Sequence, residues 1–374
     1  MPPAASLRLV TTYTLVHGIA EFLTALTLFS MLAVRGYPGW EVALYTAIAF
    51  GGPIVAALAV TTAGSRVTEG PFGLVGAALL GAGLLTTSYD LLTVFLLGAG
   101  SALIHIAAGT ATLKEPKPAT AVGVFEATGA IGLAAGTVLG SGVWSQVSAT
   151  PAMWFGAAVM LAGGFAVWRW GTSHIAPGLA ARTGVLPHPA TIGVLATAIG
   201  ALAVVSIARS LVGTGAPQSW KDGAVMVITA SVAVALGRAM GGIIADRWGY
   251  LVPTLVGLSG AGLAWSVWPT SPVAGLVGAF CLALPMAPVI LAMLKILERP
   301  ALAFGLAQLF QVPAAVAGGL GLGPWGVALA MVASALMVAG AALLLSPGHR
   351  TPDPTQPVPA GTTTTAQPSR KDAP

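Results

Sequence analysis

Twelve long apolar runs, divided by short segments of turn-forming and charged residues, take up most of this chain, and no other feature constrains its fold as strongly. The hydrocarbon core of a bilayer is about 30 Å thick, so a helix needs about 20 apolar residues to cross it. Twelve crossings use roughly 240 residues, which leaves no room for a sizeable water-soluble domain in 374. Only 7% of the residues are charged, against about 25% in soluble domains. With 16 basic and 11 acidic side chains, a water-facing surface of this size cannot be built. That excludes an ordinary soluble enzyme, a nucleic-acid binder and a disordered chain. The expected fold class is an all-α membrane protein.

The runs cover about 9–34, 41–63, 71–87, 91–113, 119–143, 151–170, 190–212, 222–245, 251–268, 271–294, 300–320 and 324–346. The third, ninth and eleventh are short or rich in glycine. With the N-terminus inside, 13 of the 16 lysines and arginines fall on inner segments, Arg35 and Lys221 on outer loops, and Arg209 inside the seventh run. This positive-inside bias predicts an even number of spans and cytoplasmic termini in the cell membrane. The longest inner connection, 171–189, divides a six-helix half (1–170) from a second (190–346). The tail, 347–374, is rich in proline and threonine, cannot bury a core and is expected to be disordered. The first run is longer than a signal-peptide core and carries His17 and Glu21, so it reads as a span. The lone cysteine, Cys281, excludes an internal disulfide and reads as a small apolar side chain.

Gly132, Gly136 and Gly140 recur every four residues in the fifth run, a small-residue face that lets another helix approach closely. Pro285 and Pro288 are expected to bend the tenth span, and Pro313 the eleventh. Between the eighth and ninth runs, on an inner loop, stands GIIADRWG. It places Gly242, Asp246, Arg247 and Gly249 in the pattern G-x-x-x-D-R-x-G. Asp246 can meet a helix N-terminus, while Arg247 and Arg238 supply pairing charges. The plainer reading is a basic inner turn with an ordinary ion pair. The loop resembles the signature loop of the major facilitator superfamily. With twelve spans in two halves, the resemblance extends over nearly the whole chain. It implies the facilitator fold, secondary transport, and a loop that latches the halves on the cytoplasmic side. Leu251 and Val252 stand where that family often has basic residues. The equivalent loop after the second span (Gly64, Arg66, Glu69) lacks the pattern, so the latch is expected to work from one half.

Ionisable residues inside a membrane are functional candidates by default. Tyr13, His17, Glu21 and Thr24 form one polar stripe on the first helix, and Ser101, His105, Gly109 and Thr112 another on the fourth. In the facilitator fold the first, fourth, seventh and tenth helices line the central cavity. The segments around His17 and Glu21, and around Gly98 to His105, are similar to the acidic first helix and histidine-bearing fourth helix of the fosmidomycin-resistance-like branch. That likeness implies export. Glu126 lies near the inner end of the fifth helix. The following Gly129 to Gly132 resembles the glycine-rich antiporter motif, with Ala130 in place of its proline.

Each candidate also has a structural reading. Glu21 and His17, one turn apart, can be a neutral hydrogen-bonded pair, and His105 a donor between helices. Glu126 can be polar packing near the inner mouth. Arg209 can snorkel to the outer surface or bind an anion. Gln308 and Gln311 can hold substrate or another helix. The leading expectation is a monomeric secondary transporter moving a small molecule by alternating access, with protons as coupling ion and export as direction. It is expected to use no cofactor and no nucleic acid, and there is no nucleotide-binding G-x-x-x-x-G-K-[ST] loop. The alternatives are an intramembrane metal-binding protein or metalloenzyme using His17, Glu21 and His105, and a transport-inactive facilitator-like scaffold.

Overall fold

Hydrocarbon offers backbone amides no partner, so an apolar run crosses a bilayer only by closing its hydrogen bonds within a helix. The computed structural model of the chain describes residues 3–35, 40–63, 69–142, 149–170, 192–215, 219–313, 321 and 323–345. The 171–189 connection, the 347–374 tail and positions 64–68 of the loop after the second span lie outside them. Among the described residues there are thirteen helices and no strand. They are α1 (Pro3–Arg35), α2 (Trp40–Ala63), α3 (Glu69–Leu85), α4 (Asp90–Leu113), α5 (Pro118–Gly142) and α6 (Ala149–Trp170). The second half holds α7 (Ile192–Gly215), α8 (Gly223–Trp248), α9 (Leu251–Val267), α10 (Pro272–Ala283), α11 (Met286–Leu297), α12 (Pro300–Leu309) and α13 (Pro324–Leu345).

Each helix answers to one expected span, except that α10 and α11 together form the tenth. The break falls at Leu284 and Pro285. Proline has no N–H to donate and its ring clashes with the carbonyl four residues back. Four residues back from Pro285 and Pro288 stand Cys281 and Leu284, so both prolines act on the break. Among the described residues eight stretches are long and apolar enough to cross a membrane, and α10–α11 counts as one of them. The shorter apolar helices are α3, α9 and α12, the three that the sequence made short or glycine-rich.

The packing repeats between halves. In the first, α2 packs on α4, and α3 on α4 and α6; in the second, α8 packs on α10, and α9 on α10 and α13. Across the halves α5 lies against α8, and α12 against α2, the same relation with the halves exchanged. Within the first half, α1 and α5 approach closely along the glycine stripe. A Cβ at Gly132 would meet the carbonyl oxygen of Gly18, one at Gly136 that of Phe22, and one at Gly140 that of Leu26. Both helices advance by four residues per contact, so any larger side chain would force them apart. Large apolar side chains face outward, Trp325 at 87% exposure and Phe155 at 72% among them. That surface suits hydrocarbon, and the chain is a multi-pass membrane protein.

Candidate functional site

Three polar layers are stacked along the line where the halves face each other. The first is built from α1, α4 and α2. His17 and Glu21 lie one turn apart on α1, Ser101 and His105 one turn apart on α4, and all four are buried. His17 Nδ1 stands 2.9 Å from the carbonyl oxygen of Phe125, and His105 Nδ1 stands 2.9 Å from that of Ser101. A carbonyl only accepts, so each Nδ1 carries the hydrogen, and a ring in its neutral form then presents a bare Nε2. These two Nε2 atoms face each other at 3.1 Å. Glu21 Oε1 accepts from the Ser101 hydroxyl at 3.1 Å, and Tyr45 on α2 donates to Ser101 Oγ at 3.2 Å. The expected hydrogen-bonded pair of His17 and Glu21 is not formed. His17 Nε2 is 3.9 Å from Glu21 Oε1, as is His105 Nε2, because the carboxylate turns toward Ser101. The His17 ring stacks on Phe125 with centroids 4.1 Å apart, and Gly129 leaves the ring its place.

The second layer joins the halves. Glu126 on α5 accepts from Arg238 Nη1 on α8 at 3.2 Å, and Gln308 Nε2 on α12 donates to its other oxygen at 2.9 Å. Arg238 also donates to the Glu126 carbonyl at 2.7 Å. The chain continues as Gln311 Nε2 donates to Gln308 Oε1 at 2.6 Å and Arg209 Nη2 on α7 donates to Gln311 Oε1 at 3.2 Å. Arg209 therefore points to Gln311 rather than snorkelling outward, since a neighbouring amide oxygen satisfies it within the bundle. Gln308 and Gln311 bond one another, Glu126 and Arg209. Phe304 of α12 fills the space opposite Gly109 of α4, where a Cβ would collide with its ring.

The third layer is the signature loop. Asp246 takes the Ala119 N–H on Oδ1 at 3.2 Å and the Thr120 N–H on Oδ2 at 2.7 Å. Those amides open α5, so a carboxylate from the second half caps a helix of the first. Gly242, one turn before Asp246, lets α8 close on this end, because a Cβ there would strike the Ala119 carbonyl. Gly249 ends α8 with φ +83°, in the left-handed region that favours glycine. Of the two arginines expected to supply pairing charges, Arg238 forms an ion pair. Arg238 lies two turns earlier and engages Glu126, while Arg247 is exposed and lies 5.4 Å over the Trp248 ring. Backbone amides at a helix start suffice for the carboxylate.

A small cavity of about 50 Å³ separates the first two layers and is lined by His17, Glu21, His105, Glu126, Arg238 and Gln311. Its size admits water and no organic molecule of any bulk. Tyr45, the Phe125 carbonyl and Phe304 escaped the sequence reading. Tyr45 lies in the second turn of a mostly apolar helix, one turn from Glu41, where a phenol is easily read as part of an interfacial aromatic belt.

No protein-family model matches the sequence, and no curated protein matches it. Solved structures do share its fold. A crystal structure of FucP, a major facilitator superfamily transporter in the outward conformation, superposes with a TM-score of 0.62 at 13% identity, covering 90% of this chain and 98% of that one. The Escherichia coli fucose:proton symporter FucP with an N162A substitution gives a TM-score of 0.62 at 13% identity, covering 90% and 97%. The chain thus has the fold of the major facilitator superfamily transporters.

Proposed function

We propose that the protein is a secondary active transporter that carries a small molecule across the cell membrane by alternating access, with protons as the coupling ion. One observation carries the reading: among the described residues, the polar contacts that tie the halves lie on one side. The ties run from the Asp246 cap through Glu126, Arg238 and Gln308, and the His17–Glu21–His105 cluster lies beyond them in the first half. Ties that exist only while that side is shut are what an alternating-access protein must make and break. The charge bias assigns the tied side to the cytoplasm, with both termini there. On that assignment the described state faces outward, the state named for one of the FucP structures.

Glu21 is the coupling group in this reading. An isolated carboxylate is costly to bury, so it exchanges charge for a proton when access changes. His17, Ser101 and His105 set its surroundings. Glu126 is the second carboxylate on the path and connects protonation to the ties between halves. Export is the proposed direction, supported by the likeness of the α1 and α4 segments to the fosmidomycin-resistance-like branch. The test is transport in reconstituted vesicles after a substrate screen in a host stripped of its own exporters. Glu21→Gln should fold and exchange substrate at equal concentrations, yet lose accumulation driven by a pH gradient. If Glu21→Gln accumulates normally while Glu126→Gln does not, coupling belongs to α5. If the wild type moves nothing in the screen, the transport-inactive scaffold is the better description.

A further inference from the structure

The geometry points to a binding site for one divalent transition-metal cation, of the zinc, cobalt or nickel class, held by His17 Nε2, His105 Nε2 and Glu21 Oε1. This inference does not rest on the transport reading, since binding is measured on the protein at rest; a cation bound here holds Glu21 deprotonated, so proton loading at Glu21 requires the ion to leave. Both Nδ1 hydrogens are committed to carbonyl oxygens, His17 to Phe125 and His105 to Ser101. The two remaining lone pairs converge at 3.1 Å, and one carboxylate oxygen lies 3.9 Å from each nitrogen. Two bare lone pairs at that distance repel, and either a proton or a metal cation between them removes the repulsion.

The triangle of donor atoms decides which. A point about 2.1 Å from both nitrogens lies about 2.2 Å from Glu21 Oε1, and zinc bonds run about 2.0–2.1 Å to imidazole and about 2.0–2.2 Å to carboxylate. One ion therefore reaches all three ligands with no large movement. A proton shared by the two histidines would leave Glu21 beyond hydrogen-bond reach of either ring. The surroundings have the form of an outer ligand shell. Each imidazole is oriented by a carbonyl on its far nitrogen, and the ligating carboxylate oxygen is held by Ser101, itself held by Tyr45. Two imidazoles and one carboxylate select against magnesium and calcium, which prefer oxygen ligands throughout. The cavity of about 50 Å³ beside the cluster leaves room for a water as a further ligand.

The protein, purified in detergent and stripped with a chelator, is titrated with Co²⁺ and followed in the visible spectrum. One ion per chain with intense low-coordinate d–d absorption is expected, displaced by Zn²⁺. His17→Ala and His105→Ala should each abolish the spectrum, and Ser101→Ala should weaken affinity about 10- to 100-fold. Cys281→Ala should change nothing. A triple variant, His174→Asn, His188→Asn and His349→Asn, which removes every other histidine of the chain, should also keep the site. Zinc-edge X-ray absorption on the wild type needs no variant, and two imidazoles with oxygen and no sulfur are expected. Absence of a stoichiometric cobalt spectrum would overturn the site. So would a spectrum that survives in both His→Ala variants, or one lost in the triple variant. A preparation that binds no metal yet moves its substrate overturns this site and leaves the transport reading standing.

Discussion

Replacing Asp246 by asparagine should open the tied side of the protein. The carboxylate receives two backbone N–H groups at 3.2 and 2.7 Å from the first turn of α5. Hydrogen bonds to a charged group contribute about 1.5–3 kcal/mol, and a charge at a helix end about 0.3–1 kcal/mol more. Asparagine keeps one acceptor oxygen but turns an NH₂ toward the other amide. A loss of about 2 kcal/mol is therefore reasonable, and all of it falls on the state in which the halves touch. That corresponds to a shift of roughly 30-fold in the equilibrium between closed and open forms. Ala57 reports on it, being fully buried and packed toward Gly305 of the other half. In a Cys281→Ala background, Ala57→Cys should react with a polar maleimide in proportion to the open fraction. Adding Asp246→Asn should raise the labelling rate by roughly that factor, while insertion and helix content stay the same. An unchanged rate would refute the cap as a state-specific tie.

Gly129→Ala should displace the His17 ring, since a Cβ there falls among its atoms; overpacking of this kind costs about 1–3 kcal/mol, read as a lower unfolding temperature in detergent together with slower transport. Arg238→Gln leaves the Glu126 carboxylate buried without its cation, a loss of about 3 kcal/mol. The double variant Glu126→Gln/Arg238→Gln should recover most of that loss, and simple additivity of the two single changes would show that the pair is not coupled. Reporter fusions should be cytoplasmic after Gly348 and external after Trp144, and an external tail would contradict the twelve-span topology.

Periodicity made the glycine stripe of α5 legible in the sequence, because Gly132, Gly136 and Gly140 announce a close helix contact without naming its partner. Composition likewise marked α3, α9 and α12 as short, and Pro285 and Pro288 marked the break in the tenth span. What stayed hidden depends on meetings between distant segments. Asp246 was recognised as a helix-capping carboxylate, but the amide it meets, that of Ala119 in the first turn of α5, lies 127 residues earlier. Glu126, Gln308 and Arg238 were three separate candidates, and only packing joins them. His17 and His105 are 88 residues apart, and nothing in either stripe gives their 3.1 Å approach. Spacing along a helix fixes which residues share a face, not which face of another helix they meet.

Alternating access is tested most directly by two spin-label distances measured across the halves in a Cys281→Ala background. One pair, Lys117→Cys and Arg247→Cys, stands beside the Asp246 cap; the other, Tyr89→Cys and Trp268→Cys, lies in exposed connections at the opposite ends of the helices. Pulsed electron resonance should give a short distance for the first pair and a long one for the second in the state described here. Lowering the pH, or adding Asp246→Asn, should populate the reverse arrangement, with the two pairs changing in opposite senses. If both pairs keep single, fixed distances across pH, in Asp246→Asn and with every substrate tried, the halves do not rock and the protein is not an alternating-access transporter.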